Sequence, residues 1–226
     1  MSCVPVLKPG ANCWRVERAA RVSFLVDGAD YFYAFREAVK QAQHSVLIMA
    51  WDIDSRVKLV RGRQHDPADD LPEMLGDFLY AMVRRRKQLN IHVLDWDFIM
   101  LFAPDREWLP LYKREWNGHR RLHFALDNMH PTGACHHQKI VVVDDRVAFA
   151  GGLDLTLGRW DTPEHRSDDP IRRELDGEPI PQPYHDVQIM VSGPAAAVLG
   201  DLARERWFRA TGRRLKTPRA QGIQNN

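Results

Sequence analysis

The sequence predicts one α/β domain in which helices flank a central sheet that is mostly parallel or mixed. Strand-like and helix-like stretches alternate along most of the chain, the pattern of a layered α/β unit. At 226 residues and 44% hydrophobic content the chain can bury a full core, which excludes global disorder. No internal repeat divides it, so a single domain is expected over residues 1–212, with an aperiodic, unstructured tail at 213–226.

The elements follow in order. Arg21 to Val26 reads as a short strand closed by Asp27-Gly28. From Ala29 to Gln43, the apolar residues Tyr31, Phe32, Phe35, Ala38 and Val39 recur at helical spacing. Ser45 to Ala50 is a continuous apolar run, as a strand buried on both faces requires. Leu71 to Arg86 is helical again and ends in cations that suit the negative end of its dipole. Strands are expected at Asn90 to Asp95 and Leu122 to Leu126. Gln138 to Val143 and Val147 to Ala150 flank Asp144-Asp145-Arg146, which marks a hairpin. Asp186 to Val191 reads as the last strand. Pro194 to Ala210 reads as the last helix, with proline in its first turn.

Two stretches break this rhythm. Arg56 to Asp70 is polar and reads as a loop. Thr162 to Tyr184 carries five prolines and few apolar residues; a connection of that length is either functional, as a lid, or disordered.

Charge and cysteine content narrow the partners. Net charge is only +2, which does not favour nucleic acid, so none is expected as a partner. Arginines cluster at 84–86, 120–121, 172–173 and 213–214, and a planar guanidinium suits phosphate. Any single cluster reads more readily as a solvated helix face. Cys3, Cys13 and Cys135 are too few and too odd in number for a disulfide framework, so a reducing, cytoplasmic setting is expected. The N-terminal residues lack a signal pattern, and no apolar run reaches the ~18 residues of a membrane span.

The chemistry concentrates in His136-His137-Gln138-Lys139-Ile140-Val141-Val142-Val143-Asp144, followed by Gly151-Gly152-Leu153-Asp154. Side chains two apart on a strand share a face, so His137 and Lys139 point together while His136 and Gln138 point away. An ammonium beside an imidazole neutralises phosphate oxygens and keeps the imidazole unprotonated, hence nucleophilic. The two glycines allow close backbone approach to a ligand. Roughly 0.03 chance matches to the His-x-Lys-x4-Asp pattern are expected in a chain of this composition, so the signal is specific.

Lesser signals surround it. Trp51-Asp52-Ile53-Asp54 and Asp95-Trp96-Asp97 end strands, where α/β sheets place ligand sites. His123, His130 and His136 fall near Asp127, but their spacing matches no zinc pattern, and no metal site is expected. Nothing beside Cys135 would activate its thiol.

The run from His136 to Asp144, with Ala-Gly-Gly-Leu-Asp-Leu (150–155) and Gly-Arg-Trp-Asp (158–161), resembles the first catalytic repeat of the phospholipase D family. Tyr184-His185-Asp186-Val187 and Gly193-Pro194-Ala195 resemble that repeat's ending. The similarity covers most of Cys13 to Thr211 and is nearest the branch that acts on phospholipids. It implies a phospholipase-D-like fold with His137 as nucleophile, Lys139 as phosphate-binding cation and Asp186 as the carboxylate that orients the imidazole. Asp144 matches the motif's aspartate. Five residues of strand separate it from Lys139 by about 16 Å, however, so it reads as a turn residue. Gly152 and Asp154 stand where relatives bind phosphate through Gly-Ser-x-Asn, although Asp154 adds a negative charge there.

The resemblance further implies two-step displacement through a phosphohistidine, with no metal or cofactor, on a phospholipid substrate, with peripheral contact to a membrane. Two copies of the motif are needed and this sequence has one. A homodimer, or a second catalytic repeat from a partner, is therefore expected. The alternatives are a nuclease of the same superfamily acting as a homodimer, and an inactive half-domain that binds lipid or a partner.

Overall fold

The computed structural model describes residues 6–62, 69–97, 116, 118–131, 133–173 and 182–218. Among these residues seven strands form one sheet: β1 (Arg21–Val26), β2 (Ser45–Ala50), β3 (Asn90–Trp96), β4 (Leu122–Asp127), β5 (Lys139–Val143), β6 (Val147–Gly151) and β7 (Val187–Ser192). Their order across the sheet is β1-β7-β6-β5-β2-β3-β4. Three helices accompany them among the described residues: α1 (Asp27–Lys40), α2 (Leu75–Arg85) and α3 (Pro194–Thr211).

The sheet is mixed rather than mostly parallel. Only β2–β3 and β3–β4 pair in parallel, while the other four pairings are antiparallel. Three features produce this: the tight β5–β6 hairpin, the return of β7 beside β6, and the docking of β1 on β7. The hairpin turn has positive φ at Asp144 and Asp145, 51° and 55°. That is the backbone of a type I′ turn, which matches the twist of the flanking strands.

Two cores sandwich the sheet. On one face Tyr31, Phe32, Phe35, Phe78, Leu79 and Met82 of α1 and α2 pack on Ile48, Val93, Val141 and Phe149. On the other, Ala196, Ala203 and Trp207 of α3 pack on Leu47, Leu94, Ile140, Val142 and Ala148. Strands β2 and β5 contribute to both, which is why their sequences are continuously apolar.

Helix boundaries depart from the sequence reading where tertiary contacts intervene. α1 starts at Asp27, earlier than expected, and ends at Lys40. α2 starts only at Leu75, because residues 71–74 are held extended. The Arg36 guanidinium donates to the Leu71 and Pro72 carbonyls, and Lys58 and Met74 form an antiparallel bridge. The polar stretch after Arg56 makes no strand within its described residues, and 63–68 lie outside them. Thr162 to Arg173 is ordered and folded back on the domain; the rest of the expected lid, 174–181, lies outside the described residues. Cys13 and Cys135 are free thiols, and Cys3 lies outside the described residues. No helix among the described residues is long and apolar enough to cross a membrane.

Candidate functional site

The site lies where β5 enters the sheet. Lys139 is the first residue of β5 and His137 precedes it by two, so strand alternation aims both side chains the same way. One ring verifies this. The Trp51 indole lies 5.5 Å from the His137 imidazole, centroid to centroid, and 5.3 Å from the Lys139 ammonium. His137 is exposed, whereas Lys139 is only 7% exposed. Trp51 directly follows β2, whose antiparallel register with β5 ends at Met49 opposite Ile140. That pairing brings residues nearly ninety apart in sequence to the same sheet end.

The opposite face of the same segment is anchored separately. His136 Nε2 lies 3.4 Å from an Asp127 carboxylate oxygen and 3.1 Å from the Met129 carbonyl. Arg206 of α3 donates to Gln138 Oε1 at 2.6 Å and also to Asp127. Asp127 and α3 thus hold the strand from behind while His137 and Lys139 face forward. His123 takes no part, stacking instead on His92 at 4.5 Å.

Asp154 meets Lys139 in a buried ion pair at 2.9 Å, and its other oxygen accepts the Trp51 backbone N–H at 3.1 Å. Burial pushes the Asp154 carboxyl up, and the Lys139 ammonium and the Trp51 amide only partly offset this. The ammonium nitrogen is buried, and among the described residues the carboxylate it meets is that of Asp154.

Asp186 sits at the entry to β7, two strands from β5. Its carboxylate packs directly on Gly152: a Cβ added there would lie 2.2 Å from both carboxylate oxygens. Only glycine leaves that room. The neighbouring Gly151 is equally confined, because its Cβ would lie 2.4 Å from Gln188 Oε1. The hydrogen bond from the His137 ring to the Asp186 carboxylate that the resemblance implies is not made among the described residues. Strands two apart lie about 9.5 Å from each other, and Asp186 Oδ1 accepts the Val187 N–H at 2.7 Å.

Asp144 stands apart from this group at the far end of β5. Its carboxylate accepts the backbone N–H groups of Gln43, His44 and Ser45 at 2.7, 2.8 and 2.7 Å. It fastens the hairpin to the start of β2, a structural task in keeping with its turn position.

Sequence reasoning missed a second polar cluster. Buried Asp27 accepts from His185 Nδ1 at 2.7 Å, and its other oxygen lies 3.4 Å from His165 Nε2. The donor atoms of Asp27, His165 and His185 lie within 4.8 Å of one another, so these residues could hold a divalent cation. Beside them, fully buried Asp161 accepts from His165 Nδ1 (3.0 Å), Arg172 (3.0 Å) and the amides of Thr162 and Tyr184 (both 2.8 Å). In the sequence Asp27 stood out only as part of the Asp27-Gly28 pair that closes a strand; in the structure its φ is 68°, uncommon outside glycine.

A family model described as Phospholipase D matches residues 116–224. Phospholipase D C of Dictyostelium discoideum is 29% identical over 210 residues, covering 82% of this chain and 12% of that protein. Among solved structures, NucT from Helicobacter pylori superposes with a TM-score of 0.52 at 11% identity, covering 84% of this chain and 96% of the other. A phosphatidylserine synthase from Haemophilus influenzae Rd KW20 gives 0.50 at 13% identity, covering 87% of this chain and 40% of the other. The two structures speak for the fold. The chain spans 12% to 24% of the length of the curated relatives it matches.

Proposed function

We propose, from the premise that this chain belongs to the phospholipase D family, that it supplies half of a phosphatidyl-transferring phosphodiesterase site. The observation that carries this reading is the convergence of an exposed imidazole and a buried ammonium on the Trp51 ring. A phosphate seated there meets a nucleophile and a cation at once.

In the first step His137 attacks phosphorus and the bond to the leaving alcohol breaks. A proton from a second imidazole passes to the departing oxygen. In the second step that imidazole takes a proton from water or an acceptor alcohol, whose oxygen displaces the imidazole of His137. Lys139 neutralises the phosphate oxygens through both steps. The second imidazole comes from another copy of the motif, either a second copy of this chain related by a two-fold axis or a further repeat. Asp186, held against Gly152, orients the His137 ring once substrate and the second copy close the site.

The function is tested by assaying the purified chain on phosphatidylcholine vesicles and on supercoiled DNA, with its mass followed by light scattering. Release of choline by an assembly of twice the chain mass is expected. DNA nicking without choline release would give the site to a nuclease, and a monomer inert on both would leave a binding half-domain. Gly152→Ala is expected to lower kcat by ~100-fold while leaving KM and the melting temperature nearly unchanged, because displacing Asp186 misaligns the imidazole. Turnover within about threefold of wild type would remove Asp186 from the proposed mechanism.

A further inference from the structure

We infer that Trp51 is a positioning residue that sets the geometry of His137 and Lys139 toward phosphate. This rests on the reading that those two groups handle a phosphate. Among the described residues the indole is the ring that meets both, at 5.5 Å from the imidazole and 5.3 Å from the ammonium. Its own place is fixed from two directions. It stacks on Trp96 at 6.0 Å and 21°, and Trp96 in turn donates Nε1–H to His130 Nε2 at 2.9 Å. Its backbone N–H donates to Asp154, and Asp154 closes the circuit by pairing with Lys139.

The physical need for such a ring follows from the charges. A lysine side chain has four rotatable bonds, and a buried ammonium requires a partner to remain charged. Asp154 supplies one, but a carboxylate beside a phosphate opposes the ligand that the lysine is to bind. The face of an indole attracts the ammonium through its quadrupole and adds no negative charge. It thereby gives the Lys139 ammonium a second neighbour beside Asp154. The same ring limits the rotamers open to an imidazole that makes no hydrogen bond of its own among the described residues. Without the indole, the ammonium is left to Asp154 alone, 2.9 Å away, and the imidazole loses the ring that confines it.

The test uses the whole chain, with inorganic phosphate as the probe. Trp51→Leu is expected to weaken phosphate binding about tenfold, and Trp51→Phe, which keeps a smaller aromatic face, about threefold or less. Lys139→Met should abolish binding and serves as the reference. Rescue by phenylalanine separates positioning from bulk packing. A second measurement needs no destabilised variant: in 5-fluorotryptophan-labelled wild type, the Trp51 fluorine resonance, identified by its absence in Trp51→Phe, should shift with phosphate. Its midpoint should match that of the His137 ring proton shifts. If the His137 signals move and the Trp51 resonance does not, or if Trp51→Leu binds phosphate as well as wild type, the role of Trp51 is overturned and the phosphate site stands. If phosphate moves neither signal, the phosphate site itself falls, and the role of Trp51 with it.

Discussion

Replacing His137 with asparagine is expected to lower turnover by about 10⁴-fold or more in the proposed cleavage of phosphatidylcholine. Asparagine keeps a polar group of similar reach, but its amide nitrogen has no lone pair to give to phosphorus. The loss should be purely chemical. His137 is exposed and touches the rest of the domain through the Trp51 ring, so the melting temperature should hardly change. His136→Asn is the matched control: it removes an imidazole one residue away, on the face turned toward Asp127. It should retain turnover within about tenfold. Comparable losses in both variants would mean that the segment matters as structure and that His137 has no special place in the reaction.

Asp161→Ala is expected to cost about 3–5 kcal/mol of stability, a large share of the roughly 5–15 kcal/mol a domain has. The Asp161 carboxylate and the Arg172 guanidinium are 0% and 1% exposed, and they lie 3.0 Å apart. Burial pushes the Asp161 carboxyl up, and its bonds to His165, Thr162, Tyr184 and Arg172 outweigh that and hold it below the ordinary range. Truncation leaves a guanidinium buried without its counter-charge, along with two backbone amides and an imidazole short of an acceptor. The segment 162–173 would then detach from its seat against Asp27 and His185. Chemical denaturation of wild type and variant measures this directly. A difference below about 1 kcal/mol would show that water replaces the carboxylate at no great cost, contrary to its burial. Adding Arg172→Met to Asp161→Ala should recover part of the loss, since an apolar pair leaves no charge stranded.

The sequence made some of this legible, and the reasons are physical. Strands β2 and β5 could be read from their apolar runs because both of their faces are buried, and the hairpin between β5 and β6 from its turn residues. The common face of His137 and Lys139 followed from strand alternation alone. The sequence left the sheet as mostly parallel or mixed because alternation of strands and helices is silent about where β1 and β7 dock, and their antiparallel pairings make it mixed. The start of α2 was misplaced because Leu71 and Pro72 answer to Arg36, thirty-five residues away in the chain, rather than to their own helical spacing. Asp161 read as part of a motif, yet its four partners come from residues 162, 165, 172 and 184, so its role as a structural hub needed coordinates. The same holds for Trp51, whose contacts with residues 96, 137, 139 and 154 exist only once β2 lies beside β5. For Asp144, strand length alone predicted the turn role, and its bonds to three backbone amides agree with that.

The most direct test is to trap the covalent intermediate. Enzyme mixed with lipid carrying labelled phosphorus, quenched in base where phosphohistidine survives, and digested for mass spectrometry should carry the label on the peptide containing His137. The label should be absent from His137→Asn. Sustained turnover with no label on that peptide, or an undiminished label in the variant, would contradict a nucleophilic imidazole at position 137.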